Sequence, residues 1–79
     1  MLAKLANSQK YISEVIGRNI CDLRENAHLS RHELAQLMGI SYQQLYKYEK
    51  GQNTISAEKL VYLKFCLGTT YDEFFKGLF

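Results

Sequence analysis

Between two apolar-periodic segments of about eight residues each, the chain leaves only Gly39-Ile40-Ser41. Three linker residues that include a glycine force the flanking helices to cross steeply. Ala35 is small where the two helices come closest, and Ile40 is an apolar residue in the turn, where it can plug the gap between them. The punctuation elsewhere is of the same kind. Proline is absent, and Gly39, Gly51, Gly68 and Gly77 fall between or after apolar-periodic segments, where C-terminal helix caps belong. The pattern predicts short helices joined by tight turns, without repeats, linkers or low-complexity segments.

Helix one is expected from about Ser8 to Asn26, with Ile12, Ile16, Ile20 and Leu23 in one stripe and Val15 widening it. Gly17 lies inside this helix at a cost of about 1 kcal/mol against alanine, so a close helix–helix contact is expected there. Helix two starts at Ser30, which with Glu33 makes a capping box, turns Leu34 and Leu37 or Met38 inward, and ends at Gly39. Helix three starts at Ser41, which can cap the amides of Gln43 and Gln44, and ends at Lys50 before Gly51; Leu45 and Tyr48 point at the core. Helix four runs from Ser56 to Leu67 with Leu60, Leu63 and Leu67 inward, and helix five starts near Thr70 and carries Tyr71, Phe74 and Phe75. No segment alternates as a strand does. The expected architecture is all-α: five helices in a single domain over residues 1–79, with 1–7 a flexible arm.

A chain of 79 residues makes one domain and not two. At this size only about 60–65% of the unfolded surface is buried, so the core leaves little volume for an enclosed active site. The sequence holds neither paired carboxylates in an apolar setting nor a glycine-rich phosphate loop, which excludes the common enzyme classes. Cys21 and Cys66 sit among apolar residues and are expected as reduced core thiols. His28 and His32 form no zinc-ligand spacing with them and are expected on the surface, so neither metal nor cofactor is expected. No apolar run approaches the length of a membrane span, and residues 1–10 lack the apolar run of a signal peptide. The expectation is a soluble cytoplasmic protein without a membrane partner.

A net charge of +2 is too small to argue for nucleic acid, so the placement of the charges must do so. With Leu45 and Tyr48 inward, helix three leaves Tyr42, Gln43, Tyr46, Lys47 and Lys50 outside and Gln44 on the shoulder. Glutamine can bond bidentately to adenine and lysine can donate to guanine O6 and N7, so this face suits a reader of base edges. Solvated helix faces also carry lysine and glutamine; two exposed tyrosines are the less ordinary part. Arg31 stands in the first turn of helix two, where the macrodipole disfavours a cation. An arginine there makes sense if it meets an anion together with the free amides of that terminus, and a phosphate is the obvious candidate.

Ile16-Gly17-Arg18 through Leu23-Arg24, then Leu29-Ser30, Glu33-Leu34-Ala35, Gly39-Ile40-Ser41, Leu45, Tyr48-Glu49 and Gly51 together resemble the phage repressor and Cro-like helix-turn-helix family. The resemblance covers roughly Val15 to Phe75 and implies a lambda-repressor-like fold with the motif at helices two and three. It also implies a sequence-specific regulator of transcription, a repressor in the first instance, that binds double-stranded DNA. Residue by residue, it implies that Tyr42, Gln43, Gln44 and Lys47 read bases with Tyr46 nearby, and that Arg31 binds phosphate. Lys50, Gln52 and Asn53 match the loop that grips the backbone on the far side. Arg24 and Glu49 match a partly buried ion pair between helices one and three. The chain departs from the family at Arg31, where a neutral polar residue is common, at Tyr48, where tryptophan is frequent, and at Lys64, which falls on the inward stripe of helix four where a small residue is usual.

One recognition helix reads only a few base pairs, and members of this family usually dimerise on a palindromic operator. A homodimer needs a self-complementary patch. Tyr71, Phe75, Leu78 and Phe79 at the C-terminal end are the candidates, with Tyr62 and Phe65 at the border; the same rings could instead simply close the core. Some domains of this fold act as antitoxins or bind a protein partner, which is the alternative reading.

Overall fold

In a computed structural model that describes residues 2–79, with side chains from residue 8 onward, five helices follow one another. They are α1 (Leu2–Asn26), α2 (Arg31–Met38), α3 (Tyr42–Glu49), α4 (Ala57–Leu67) and α5 (Tyr71–Phe74), and no strand occurs among the described residues. Helix α1 starts at Leu2, ahead of the Ser8 start expected from its apolar stripe. Residues 1–7, expected as an arm, lie outside the described side chains.

Serine hydroxyls start the three middle helices. Ser30 Oγ accepts from the Glu33 amide at 3.0 Å while the Ser30 amide donates to Glu33 Oε1 at 2.8 Å, completing the capping box. Ser41 Oγ accepts from the Gln44 amide at 3.0 Å, leaving Gln43 uncapped, and Ser56 Oγ accepts from the Lys59 amide at 3.2 Å. Gly39 and Gly68 end α2 and α4 in the left-handed region, with φ of 68° and 61°. The turn after α1 passes through His28 at φ 60°, a conformation that histidine tolerates better than most non-glycine residues.

The close contact expected at Gly17 is present. A Cβ there would overlap the carbonyl oxygens of Tyr48 and Glu49, so α1 lies backbone to backbone against the end of α3. Gly51 repeats the arrangement one step on: its Cβ would run into the backbone of Glu14. These approaches fix α1 across the α2–α3 pair and bring Arg24 and Glu49 within reach of each other.

The core is Ile20 from α1, Leu34 and Ala35 from α2, Leu45 from α3, Leu63 from α4 and Phe74 from α5. Fully burying one such large side chain is worth about 1.5–3 kcal/mol. Ile40 packs on this cluster from the turn, as expected. Of the two candidates at the end of α2, Met38 packs inward and Leu37 stays exposed, because the stripe set by Leu34 and Ala35 continues to position 38. Ile12 is exposed rather than part of the core stripe, since α3 meets α1 only further along, near Gly17. Lys64 does not signal a rotated α4: Leu63 is fully buried and Leu60 and Leu67 pack beside it. The Lys64 ammonium instead lies 5.0 Å from the Phe65 ring centre and 5.4 Å from that of Tyr71.

Helix α5 is four residues long and its Thr70 makes no side-chain cap. It is held from α1, where the Asn19 amide donates to the carbonyls of Phe74 at 2.8 Å and Lys76 at 2.9 Å. Among the described residues no helix is long and apolar enough to cross a membrane.

Candidate nucleic-acid interface

Helix α3 starts at a serine cap, turns Leu45, Tyr48 and Glu49 into the domain, and so has only its other face to offer. On that face Gln43, Tyr46, Lys47 and Lys50 are exposed, and Tyr42 and Gln44 are half-buried on its shoulders. Gln52 and Asn53 are exposed in the loop that follows, whose backbone folds back on α3: the amides of both donate to the carbonyl of Lys47, at 2.9 and 3.4 Å. Gln43, Lys47, Lys50, Gln52 and Asn53 are therefore all exposed, on α3 and on the loop folded back against it.

Behind this face lies a buried carboxylate. Glu49, its side chain 1% exposed, accepts from Arg24 Nε at 2.7 Å on Oε2 and from Arg24 Nη2 at 3.3 Å on Oε1. The ion pair implied for positions 24 and 49 is thus formed and deeply buried. Arg24 also donates to the Leu29 carbonyl at 2.9 Å, so one guanidinium ties α1 to α3 and to the entry of α2.

A second arginine shares the carboxylate. Arg31 Nε donates to Glu49 Oε1 at 2.8 Å, with the arginine side chain 24% exposed. The anion that an arginine at the start of α2 calls for is therefore, in part, internal to the protein. This bond, and next to it Tyr42, holds the Arg31 pKa above its ordinary value. A single carboxylate between two guanidiniums leaves a net positive charge, and Arg31 is the member that reaches the surface. Sequence reasoning missed this link because its two ends are polar residues 18 positions apart on different helices. The available signal was a buried Glu49 with oxygens to spare.

The aromatic residues are ordered by the same groups. Arg31 Cζ lies 5.2 Å from the centre of the Tyr46 ring and Lys50 Nζ 5.6 Å from it, so two cations share the Tyr46 ring. His32 and Tyr42, at the N-terminal ends of α2 and α3, stack with ring centres 4.4 Å apart and planes 27° from parallel. His32 is exposed as expected, but it covers a residue singled out for base reading.

The four residues expected to form a self-complementary patch are divided. Phe75, Leu78 and Phe79 line a groove with Tyr11, Ile12 and Ile16 of α1, whereas Tyr71 sits with Phe65 under the Lys64 ammonium. Both cysteines are free and half-buried. Burial pushes each thiol above its ordinary pKa, and Glu49 adds to the effect at Cys21, so neither is a reactive thiolate at neutral pH.

Two short helices crossing over a three-residue turn, with an exposed polar face on the second, define a helix-turn-helix domain of the lambda-repressor-like type. The Helix-turn-helix family model matches residues 22–63, and the chain belongs to this family in its Cro/C1-type form. It is 43% identical over 67 residues to an uncharacterized HTH-type transcriptional regulator of Rickettsia conorii, covering 85% of this chain and 54% of that protein. A second such regulator, from Rickettsia prowazekii, is 43% identical over 67 residues, which is 85% of this chain and 52% of its own length. The chain thus spans about half the length of these relatives. Among solved structures, the restriction-modification controller protein C.AhdI from Aeromonas hydrophila is 27% identical with a TM-score of 0.73, over 78% of this chain and 94% of that one. The clp gene regulator ClgR from C. glutamicum shares the fold, with a TM-score of 0.77 at 23% identity over 81% of this chain and 82% of that one.

Proposed function

We propose that residues 1–79 form a single DNA-binding domain that places α3 in the major groove of double-stranded DNA and serves a sequence-specific transcriptional regulator in the cytoplasm. The observation that carries the reading is the composition of one surface. Gln43, Lys47, Lys50, Gln52 and Asn53 are exposed together beside Arg31, while the acidic residue of α3, Glu49, is buried and neutralised. In this reading Tyr42, Gln43, Gln44, Tyr46 and Lys47 face base edges, and Arg31, Lys50, Gln52 and Asn53 meet phosphates. The similar regulators of Rickettsia support the regulatory role. Repression from a palindromic operator by a homodimer is the form that fits so short a reading helix, because doubling the contacts multiplies selectivity.

Salt tests the electrostatic half of the proposal. Affinity for duplex DNA is expected to fall with salt on a log–log slope of about −0.9 for each phosphate neutralised. An affinity that is flat between low and physiological salt contradicts it.

A protein partner is the second reading. Antitoxin PezA of Streptococcus pneumoniae is 41% identical over 44 residues, which is 56% of this chain and 28% of that protein. The exposed rings of Tyr62 and Phe65 beside Leu37 are the feature that favours it here.

A further inference from the structure

Arg31 is the first residue of α2, yet its side chain runs along α3. Its Nε is bonded to Glu49 at 2.8 Å and its Cζ lies 5.2 Å from the centre of the Tyr46 ring. Positions 46 and 49 are three apart and share one side of α3. The guanidinium is therefore tied across the last turn of α3.

The anchor is stiff. Glu49 is 1% exposed and its other oxygen is fixed by Arg24, so the carboxylate cannot follow Arg31 outward. Lys50 Nζ lies over the Tyr46 ring as well, so the ring is shared by two cations. A free surface arginine that only met phosphates would keep its rotamer freedom until DNA arrived; Arg31 has already given it up. Bonding through Nε leaves the terminal nitrogens with their N–H donors, so this strap and a phosphate contact are compatible.

We propose that Arg31 is a positioning residue for the reading face of α3: by holding the Tyr46 ring in place against Lys50, it sets which base pairs the domain prefers, beyond adding charge to the interface. The proposal rests on the DNA-binding reading above. Lysine at position 31 keeps the charge and can still bond Glu49, but it has no planar fork to lie over a ring.

The test compares affinity for the duplex that the wild-type domain prefers with affinity for a scrambled duplex of equal length. The domains compared are wild type, Arg31→Lys, Tyr46→Leu and the double variant, each checked for helical content and melting temperature. Arg31→Lys is expected to lower the preferred-to-scrambled ratio about tenfold, read against that variant's own affinity for the scrambled duplex so that a lost phosphate contact, which weakens both duplexes alike, cancels. In the Tyr46→Leu background the same substitution is expected to change the ratio by less than about twofold, the non-additivity of residues that act through one another. A wild-type ratio in Arg31→Lys overturns the proposal and leaves Arg31 a phosphate contact only. An equal drop with and without Tyr46 overturns it too, since Arg31 then acts by another route. A wild-type domain that binds no duplex in preference to another overturns the DNA-reading proposal, and this one with it.

Discussion

Where α2 meets α3, polar groups are paired inside the domain; on α4, α5 and the C-terminal residues, apolar rings are left outside it. On the first side a buried carboxylate takes two arginines, and serine hydroxyls cap both helices. On the second, α5 has no side-chain cap and is held by the buried Phe74 ring and by the Asn19 amide on the carbonyls of Phe74 and Lys76. Phe65 of α4 is 75% exposed. The first arrangement orders charged and aromatic side chains before any ligand arrives, which suits a charged, directional partner such as DNA. The second offers area without direction, which suits another protein surface.

The contrast is broken most severely at Glu49. Glu49→Gln removes the charge that two arginines share and is expected to cost about 3–5 kcal/mol of stability in chemical denaturation. An unchanged denaturation midpoint would mean that the pairing contributes nothing. Gly17→Ala is next: the added methyl meets carbonyl oxygens rather than flexible side chains and is expected to cost about 1–3 kcal/mol. On the looser side, Asn19→Ala strips the ties to Phe74 and Lys76 and is expected to lose about 1 kcal/mol, with amide exchange rising in α5 first.

Smaller effects sharpen the comparison. The Ser30 amide, and after it the Ser30 hydroxyl, hold the Glu33 carboxyl below its ordinary pKa. A group whose folded pKa is lowered stabilises the fold above its unfolded pKa and loses that contribution as pH falls through the folded value. The acid limb of the stability curve is therefore expected to be shallower in Glu33→Gln than in wild type. Smallest for stability is Phe65→Ser, expected within about 0.5 kcal/mol of wild type. If the apolar side is an interface between copies, sedimentation of this variant should show a dimer weakened while the melting curve holds. A wild-type domain that stays monomeric at high concentration, free and on a palindromic duplex, removes the homodimer.

Much of this was legible because it is local. The Ser30 and Glu33 box, the glycine stops at 39 and 68 and the inward Leu45 and Tyr48 follow from spacing alone. Gly17 gave away a tertiary contact, because a helix keeps a glycine at a cost only where something needs the space. Local spacing could not show where long polar side chains go once helices cross. Arg31 reaches Glu49, and Asn19 reaches the end of α5, across separations that no periodicity encodes. The choice of Met38 over Leu37 turned on the exact rotation of α2. The C-terminal rings were split between two neighbourhoods by a helix too short to show a pattern.

Selection of bound duplexes from a random-sequence pool tests the central claim most directly, with wild type beside Gln43→Ala and Lys47→Ala. The expected result is enrichment of one short sequence, present as an inverted pair about one DNA turn apart, with each variant losing about 1–3 kcal/mol and relaxing one or two base pairs. A pool that emerges unenriched, or that both variants enrich as wild type does, contradicts the assignment of the α3 face as the reading surface.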